Sequence, residues 1–141
     1  IEVCLVGSEM CIRDSILGAS GIGDIGKYFS DQDEKNKNLD STKIIRFCLD
    51  KLNELNLEIY NVDSIIICEE PKINPHRDNI LKSLSLILEI PIDKIGLKAT
   101  TSEQIGIIGK NKAIAVQSYV NLREKQWKYY LQMMMGMMRL I

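Results

Sequence analysis

Residues 64–76 read SIIICEEPKINPH. Ser64-Ile-Ile-Ile-Cys68 is short, β-branched and unbroken, as a strand covered on both sides would be. Pro71-Lys-Ile-Asn-Pro75 stops it. A helix is expected next over about 77–89, with Ile80, Leu81, Leu84, Ile87 and Leu88 forming its buried stripe. Pro91 ends that helix, and residues 95–101, IGLKATT, read as a second strand. Strand, helix and strand within about 40 residues make a crossover unit, expected to be right-handed with its helix on one face of the sheet.

Working outward, Asp40-Ser41 offer N-cap oxygens for a helix over roughly 42–56. Its Ile44, Ile45, Cys48, Leu49, Leu52 and Leu55 recur at helical spacing, while Lys43, Arg46, Asp50 and Glu54 take the other face. Downstream, residues 113–122 alternate with period 2, so that Ile114, Val116, Val120 and Leu122 share a face. Residues 14–20 read as the end of a helix running into glycines, and 30–40, SDQDEKNKNLD, as a solvated loop. No internal repeat occurs. The pattern predicts an α+β fold: a two-layer sandwich of ferredoxin-like kind, with helices on one face of a mixed sheet. Such a fold hosts many functions, so function has to come from the site.

The 141 residues are about one domain's worth, with 45% apolar and 26% charged residues of both signs. A net charge of −1 argues against general binding to nucleic acid or anionic membranes, which needs a basic excess. No apolar run approaches the roughly 20 residues of a membrane span. Cysteines stand at 4, 11, 48 and 68 without a C-x-x-C pair, and the sole histidine is His76. A closed structural zinc site on these residues is therefore not expected, and Cys48 and Cys68 read as buried thiols. The head lacks a basic n-region and a small-residue cleavage site, so the chain reads as cytoplasmic.

Gly21–Lys27, GIGDIGK, fits two phosphate-binding patterns, G-x-G-x-x-G and G-x-x-x-x-G-K. The first must follow a strand and open a helix, whereas here a helix precedes it and an acidic loop follows. The second needs Ser or Thr after the lysine to ligate magnesium, and Tyr28 stands there. Both nucleotide readings fall. The glycines instead allow tight or positive-φ backbone at Gly23 and Gly26, presenting the Asp24 carboxylate at the surface, with Asp31 and Asp33 close behind. Such carboxylates suit polyol hydroxyls or a divalent ion, although composition alone favours a plain helix-ending loop of solvated charges.

GDIGKYFSDQD, NVDSIIICEEPKINPH and KATTSEQIGIIGK, in that order and spacing, resemble the 2-C-methyl-D-erythritol 2,4-cyclodiphosphate synthases. The similarity runs from about Asp14 to Leu122. It implies a lyase of the non-mevalonate isoprenoid pathway, working as a homotrimer with active sites between adjacent subunits. The implied substrate is small: 4-diphosphocytidyl-2-C-methyl-D-erythritol 2-phosphate. Its 2-phosphate attacks the β-phosphorus, expelling CMP and closing an eight-membered cyclodiphosphate. The physical task is to bring two anionic groups together, so cations and oriented donors must offset their repulsion.

Carried over position by position, the resemblance assigns Asp24, Ile25 and Gly26 to the methylerythritol hydroxyls. Phe29 to Asp33 line the same pocket, with Asp31 in direct contact. Cys68 through Asn74, including Pro71, Lys72 and Ile73, would wrap the cytidine. Ala99, Thr100 and Thr101 would contact the cytidine diphosphate, with Thr101 stabilising the transition state. Glu103 would hold a divalent ion, magnesium or manganese, that bridges the phosphates. Ile107 and Lys110 stand where the family often carries phenylalanine and arginine; lysine keeps the charge but loses the bidentate fork.

The front departs from the family pattern. The family binds zinc through an Asp-x-His pair and a third histidine on a helix, and counting back from Asp14 puts that helix histidine's place on Met10. A motif histidine's place falls on Glu2, so the zinc ligands are absent from this chain. The head VCLVGSEMCIRDS resembles the peptide read when a sequencing-adapter remnant is translated with a gene, and the tail LQMMMGMMRLI is biased toward methionine. Residues 14–122 are therefore expected to be a cyclodiphosphate synthase domain lacking its front, inactive or nearly so, with residues 1–13 and 123–141 non-native or disordered. The plainer alternative for the ends is an ordinary N-terminal helix and a frayed C-terminal one. Two other readings stay open: a non-catalytic nucleotide-binding or oligomerisation module, and the remnant of a bifunctional enzyme with an upstream cytidylyltransferase domain.

Overall fold

The computed structural model describes residues 2–30 and 41–126. In chain order the elements are α1 (Glu2–Ala19), α2 (Ile25–Tyr28), α3 (Ser41–Glu54), β1 (Leu57–Ile67), α4 (Arg77–Leu88), β2 (Ile95–Thr100), α5 (Gly106–Gly109) and β3 (Ala115–Glu124). Short 3₁₀ turns at Asn74–His76 and Ile92–Lys94 flank α4. The strands form one mixed sheet in the order β2-β1-β3. β1 and β2 are parallel, Val62 facing Ile95 and Ile67 facing Thr100, so α4 is the crossover that the sequence predicts. β3 pairs antiparallel to β1, with Ser64 opposite Ser118 and Ile67 opposite Ala115.

The core lies between that sheet and the helices, giving the expected α+β two-layer arrangement. Ile12, Ile16 and Leu17 of α1, Ile45, Cys48 and Leu52 of α3, and Ile80, Leu84 and Leu88 of α4 are all but inaccessible to solvent. They meet Val62, Ile66, Leu97 and Val120 from the strands in one apolar cluster. The three α4 side chains alone contribute on the order of 5–8 kcal/mol before the entropy of ordering is subtracted. Glu89, in the left-handed region at φ 57°, ends α4 ahead of Pro91.

Two expectations change. The first strand begins at Leu57, not Ser64, with a bulge between Ile59 and Asn61. Its earlier half carries Asn61 and Asp63 on the more open face, so the unbroken apolar run is only its second half. Leu55 lies beyond the end of α3 and is exposed. The N-cap expected at Asp40 lies outside the described residues.

Polar groups enter the core between β1 and β3 and along α1, where Ser8, Glu9 and Arg13 are buried. Ser64 and Ser118 are buried and hydrogen-bonded to each other across β1 and β3, 2.8 Å apart. Arg13 of α1 is only 5% exposed, and its buried Nε and Nη1 have no hydrogen-bond partner among the described residues. The Cys11 thiol donates to the Val116 carbonyl at 3.2 Å and the Ser15 hydroxyl to the Ser118 carbonyl at 2.8 Å. Helix α1 therefore runs along β3 in the same direction. Among the described residues no helix is long and apolar enough to cross a membrane.

Candidate active site

The parallel pair β1–β2 ends in two adjacent loops, and the Cys68 amide donating to the Thr100 carbonyl at 3.0 Å carries the pairing one step past the strands. Beyond that point the loops part around a cavity of about 130 Å³. It is lined by Cys68, Pro71, Lys72, Ile73 and Asn74 on one side and Ala99, Thr100 and Thr101 on the other. Cys68 and Ile73 are buried and give it an apolar floor. The Cys68 thiol donates to the Pro71 carbonyl at 3.5 Å, and the Lys72 ammonium to the Glu69 carbonyl at 3.0 Å, which shapes the wall. The family resemblance assigns Cys68–Asn74 to the cytidine and Ala99–Thr101 to the cytidine diphosphate. A cavity of this size admits one heterocycle, whereas whole drug-sized ligands fill roughly 300–1,000 Å³.

Next to the cavity the chain makes a turn in which Glu103 and Gln104 both adopt the left-handed region, at φ 52° and 62°. Residues other than glycine enter that region at a cost and need outside support. Glu69 supplies it. Its Oε1 accepts the Ser102 amide at 3.0 Å, the Gln104 amide at 3.0 Å and the Ser102 hydroxyl at 3.2 Å. The Gln104 amide, with further help from Ser102, holds the Glu69 carboxyl below the usual carboxylate range, against a smaller opposing effect of burial. On its other side the turn is pressed by α5. A side-chain carbon on Gly109 would sit 2.1 Å from the Gln104 carbonyl carbon, so only glycine fits there. Within the turn, the Thr101 hydroxyl donates to Glu103 Oε1 at 3.1 Å. Ile107 is exposed on α5, and Lys110 caps that helix by donating its amide to the Gly106 carbonyl.

The glycine-rich turn is built separately. Gly21 and Gly23 take positive φ, 73° and 114°, while Gly26 lies inside α2, so the backbone freedom sits one step earlier than the sequence suggested. Asp24 is exposed and caps α2, its Oδ1 accepting the Lys27 amide at 3.0 Å. The Ile25 amide donates to Asp14 Oδ1 at 3.1 Å, tying the turn back to α1. Phe29 packs edge-on against Phe47, centroids 5.0 Å apart. Asp31 and Asp33 lie outside the described residues.

One chain does not bring the two halves together. Asp14 neighbours Ser15, which bonds Ser118, level with Ser64 and Leu97 at mid-sheet. Thr101 lies four residues farther along the β2 direction, roughly 13 Å, and two strand spacings across, roughly 10 Å. The cytidine segment and the Thr101–Glu103 turn converge, whereas Asp24, Ile25, Gly26 and Phe29 stand apart from them.

The metal expectations divide. Met10, at the place of the helix histidine, is half exposed and offers a thioether, which is not a zinc ligand. Among the described residues no group of three or more His, Cys, Asp or Glu side chains is placed to hold a metal ion. Zinc does not fit. Magnesium asks less, one or two carboxylates together with phosphate oxygens and water, and the exposed Glu103 fits that demand. Glu69 had no role of its own in the sequence. Its partners are 33 and 35 residues away, and no local pattern signals such a contact.

Comparisons with known proteins bear on the family and the fold. The model of the YgbB family matches residues 9–123. The 2-C-methyl-D-erythritol 2,4-cyclodiphosphate synthase of Leptospira borgpetersenii is 44% identical over 119 residues, covering 80% of this chain and 74% of that protein. Among solved structures, an IspF–CDP complex from Plasmodium falciparum superposes with a TM-score of 0.74 at 38% identity, covering 83% of this chain and 70% of that one. The bifunctional IspDF of Campylobacter jejuni superposes with a TM-score of 0.77 at 34% identity, and this chain spans 82% of itself but 31% of that protein. The chain belongs to the YgbB family.

Proposed function

We propose that this chain carries the cytidine- and phosphate-holding part of a cyclodiphosphate synthase, the lyase that converts 4-diphosphocytidyl-2-C-methyl-D-erythritol 2-phosphate to the 2,4-cyclodiphosphate and CMP. The observation that carries this reading is the single cavity shared by Cys68, Pro71–Asn74 and Ala99–Thr101. Its partly apolar floor suits a pyrimidine, and the diphosphate would leave it past Thr101 toward Glu103. There the Thr101 hydroxyl would be turned to the phosphoryl group, and Glu103 would hold a magnesium ion. That ion supplies charge neutralisation for the two phosphates. The 2-phosphate oxygen forms the new bond to the β-phosphorus while the bond to the CMP oxygen breaks.

The separation from Thr101 of the turn that Asp14 ties down supports a further part of the reading. The methylerythritol side of each site would come from a neighbouring copy, in a homotrimer. Cys11 and Cys48, thiols outside any disulfide among the described residues, are in keeping with a reducing cytoplasm. Residues 14–122 form the enzyme domain in this proposal, and the family match from residue 9 together with the buried Ile12 extends it forward into α1. Because the zinc donors do not fit, the chain binds cytidine nucleotides without turning substrate over, which also favours a second reading as a binding module. The test is zinc content and CMP release by the purified chain. Bound CDP with no zinc and no CMP release is expected; stoichiometric zinc with steady release would refute the proposal.

A further inference from the structure

We infer that Glu69 is a positioning residue that couples the nucleoside pocket to the phosphate-side turn, a proposal that rests on the functional reading above. Glu69 lies between Cys68 and Pro71 of the cavity lining, yet it makes no part of that lining itself. It reaches instead across the end of the sheet and gathers three donors from the neighbouring loop onto one oxygen, Oε1. Those donors belong to Ser102 and Gln104, the residues on either side of Glu103.

The consequence is mechanical. Thr101 and Glu103 would need fixed directions to meet a diphosphate, but two of the residues in their turn hold left-handed backbone that an unsupported loop would relax. Gly109 presses the turn from one side and Glu69 holds it from the other. The backbone of the same Glu69 anchors the pocket wall, its carbonyl accepting the Lys72 ammonium. One residue thus fixes the wall with its main chain and the turn with its side chain. A nucleoside that orders the wall orders the turn as well. Charge-assisted bonds from a carboxylate to two backbone amides suit this work, being short and directional.

The chemistry also separates Glu69 from Glu103. The carboxylate contacts found for Glu69 all go from donors of the turn to Oε1, so that oxygen is engaged before any cation arrives. Among the described residues the Glu103 carboxylate accepts the Thr101 hydroxyl alone, while the Glu103 amide donates to that same hydroxyl, which leaves the carboxylate open to a metal.

Two measurements on the full chain test the inference. Amide hydrogen exchange is read first, without ligand, on the natural chain and on Glu69→Ala and Glu69→Gln. Ser102 and Gln104 should exchange slowly in the natural chain, at least about tenfold faster in Glu69→Ala, and close to the natural rate in Glu69→Gln, whose amide oxygen can accept the same bonds. Calorimetric titration with cytidine, and with CDP plus magnesium, is read second. Glu69→Ala should weaken CDP by about tenfold and cytidine by less than about threefold, and Glu69→Gln should restore most of the loss. Equal losses for the two ligands would make Glu69 mere support for the pocket wall and overturn the inference. So would Ser102 and Gln104 amides that exchange as fast in the natural chain as in Glu69→Ala. Should the natural chain bind neither ligand, the functional reading fails, and hydrogen exchange alone then decides whether Glu69 holds the turn.

Discussion

Arg13 offers the sharpest test of how well the front of α1 suits this fold. Its side chain is 5% exposed beside the core of α1 and α3, with Nε and Nη1 buried and unpartnered among the described residues. Each buried donor left without a partner costs about 1–3 kcal/mol, and more when the group is charged. Exchanging buried ionic groups for apolar ones of similar volume stabilises proteins by about 1–4 kcal/mol. Arg13→Met keeps the length and packing of the side chain and removes the charge. We expect it to stabilise the chain by roughly 2–4 kcal/mol, a rise in Tm of roughly 10 °C for a domain of this size. Thermal unfolding followed by circular dichroism reads this directly, with Arg13→Lys as the control that keeps a buried charge and should give no gain. An unchanged or lowered Tm in Arg13→Met, with the native spectrum retained, would mean that the guanidinium is satisfied. The mismatch between the buried Arg13 nitrogens and their surroundings would then have no physical support.

Filling the cavity is a direct perturbation of the pocket. Ala99→Trp would occupy much of its roughly 130 Å³, and CDP binding by calorimetry should weaken at least about tenfold with no change in Tm; unimpaired binding would place the nucleotide elsewhere. Ser118→Ala would leave the buried Ser64 hydroxyl without its partner and cost about 1–3 kcal/mol in urea unfolding. The double variant with Ser64→Ala should cost less than the two single changes together, and strict additivity would deny the pairing. Burial pushes the Cys48 thiol up to about 11 from an ordinary value of 9.0, with Asp14 adding to the rise and Arg13 opposing it. Because the folded value is raised, that stabilisation is complete below about pH 9 and is lost as pH climbs toward 11. Cys48→Ala should flatten the alkaline decline in stability, and an unaltered slope would rule Cys48 out as its source.

The helices were legible because Ile45, Cys48 and Leu52, or Ile80, Leu84 and Leu88, repeat at a spacing that only a one-sided helix buries. The parallel pair was legible from its β-branched runs and from the proline-bounded helix between them. The first half of β1 was not, because Asn61 and Asp63 on its more open face and the bulge after Ile59 break the apolar signal. In the site, contiguous segments could be read and their mutual contacts could not. Cys68–Asn74 and Ala99–Thr101 were each recognisable, and strand register then sets them around one cavity. The Glu69 contacts, the burial of Arg13 and the pairing of Ser64 with Ser118 depend on residues 33 or more positions apart, or on which side of α1 faces the sheet. No spacing rule carries that information.

The most direct measurement is a map of backbone amide resonances during titration with CDP and magnesium. If the chain holds the nucleotide side of a cyclodiphosphate synthase site, shifts should saturate and concentrate at Cys68–Asn74 and Ala99–Glu103, and UDP and GDP should bind more weakly. Shifts that fail to saturate, or that gather away from the ends of β1 and β2, would contradict the account.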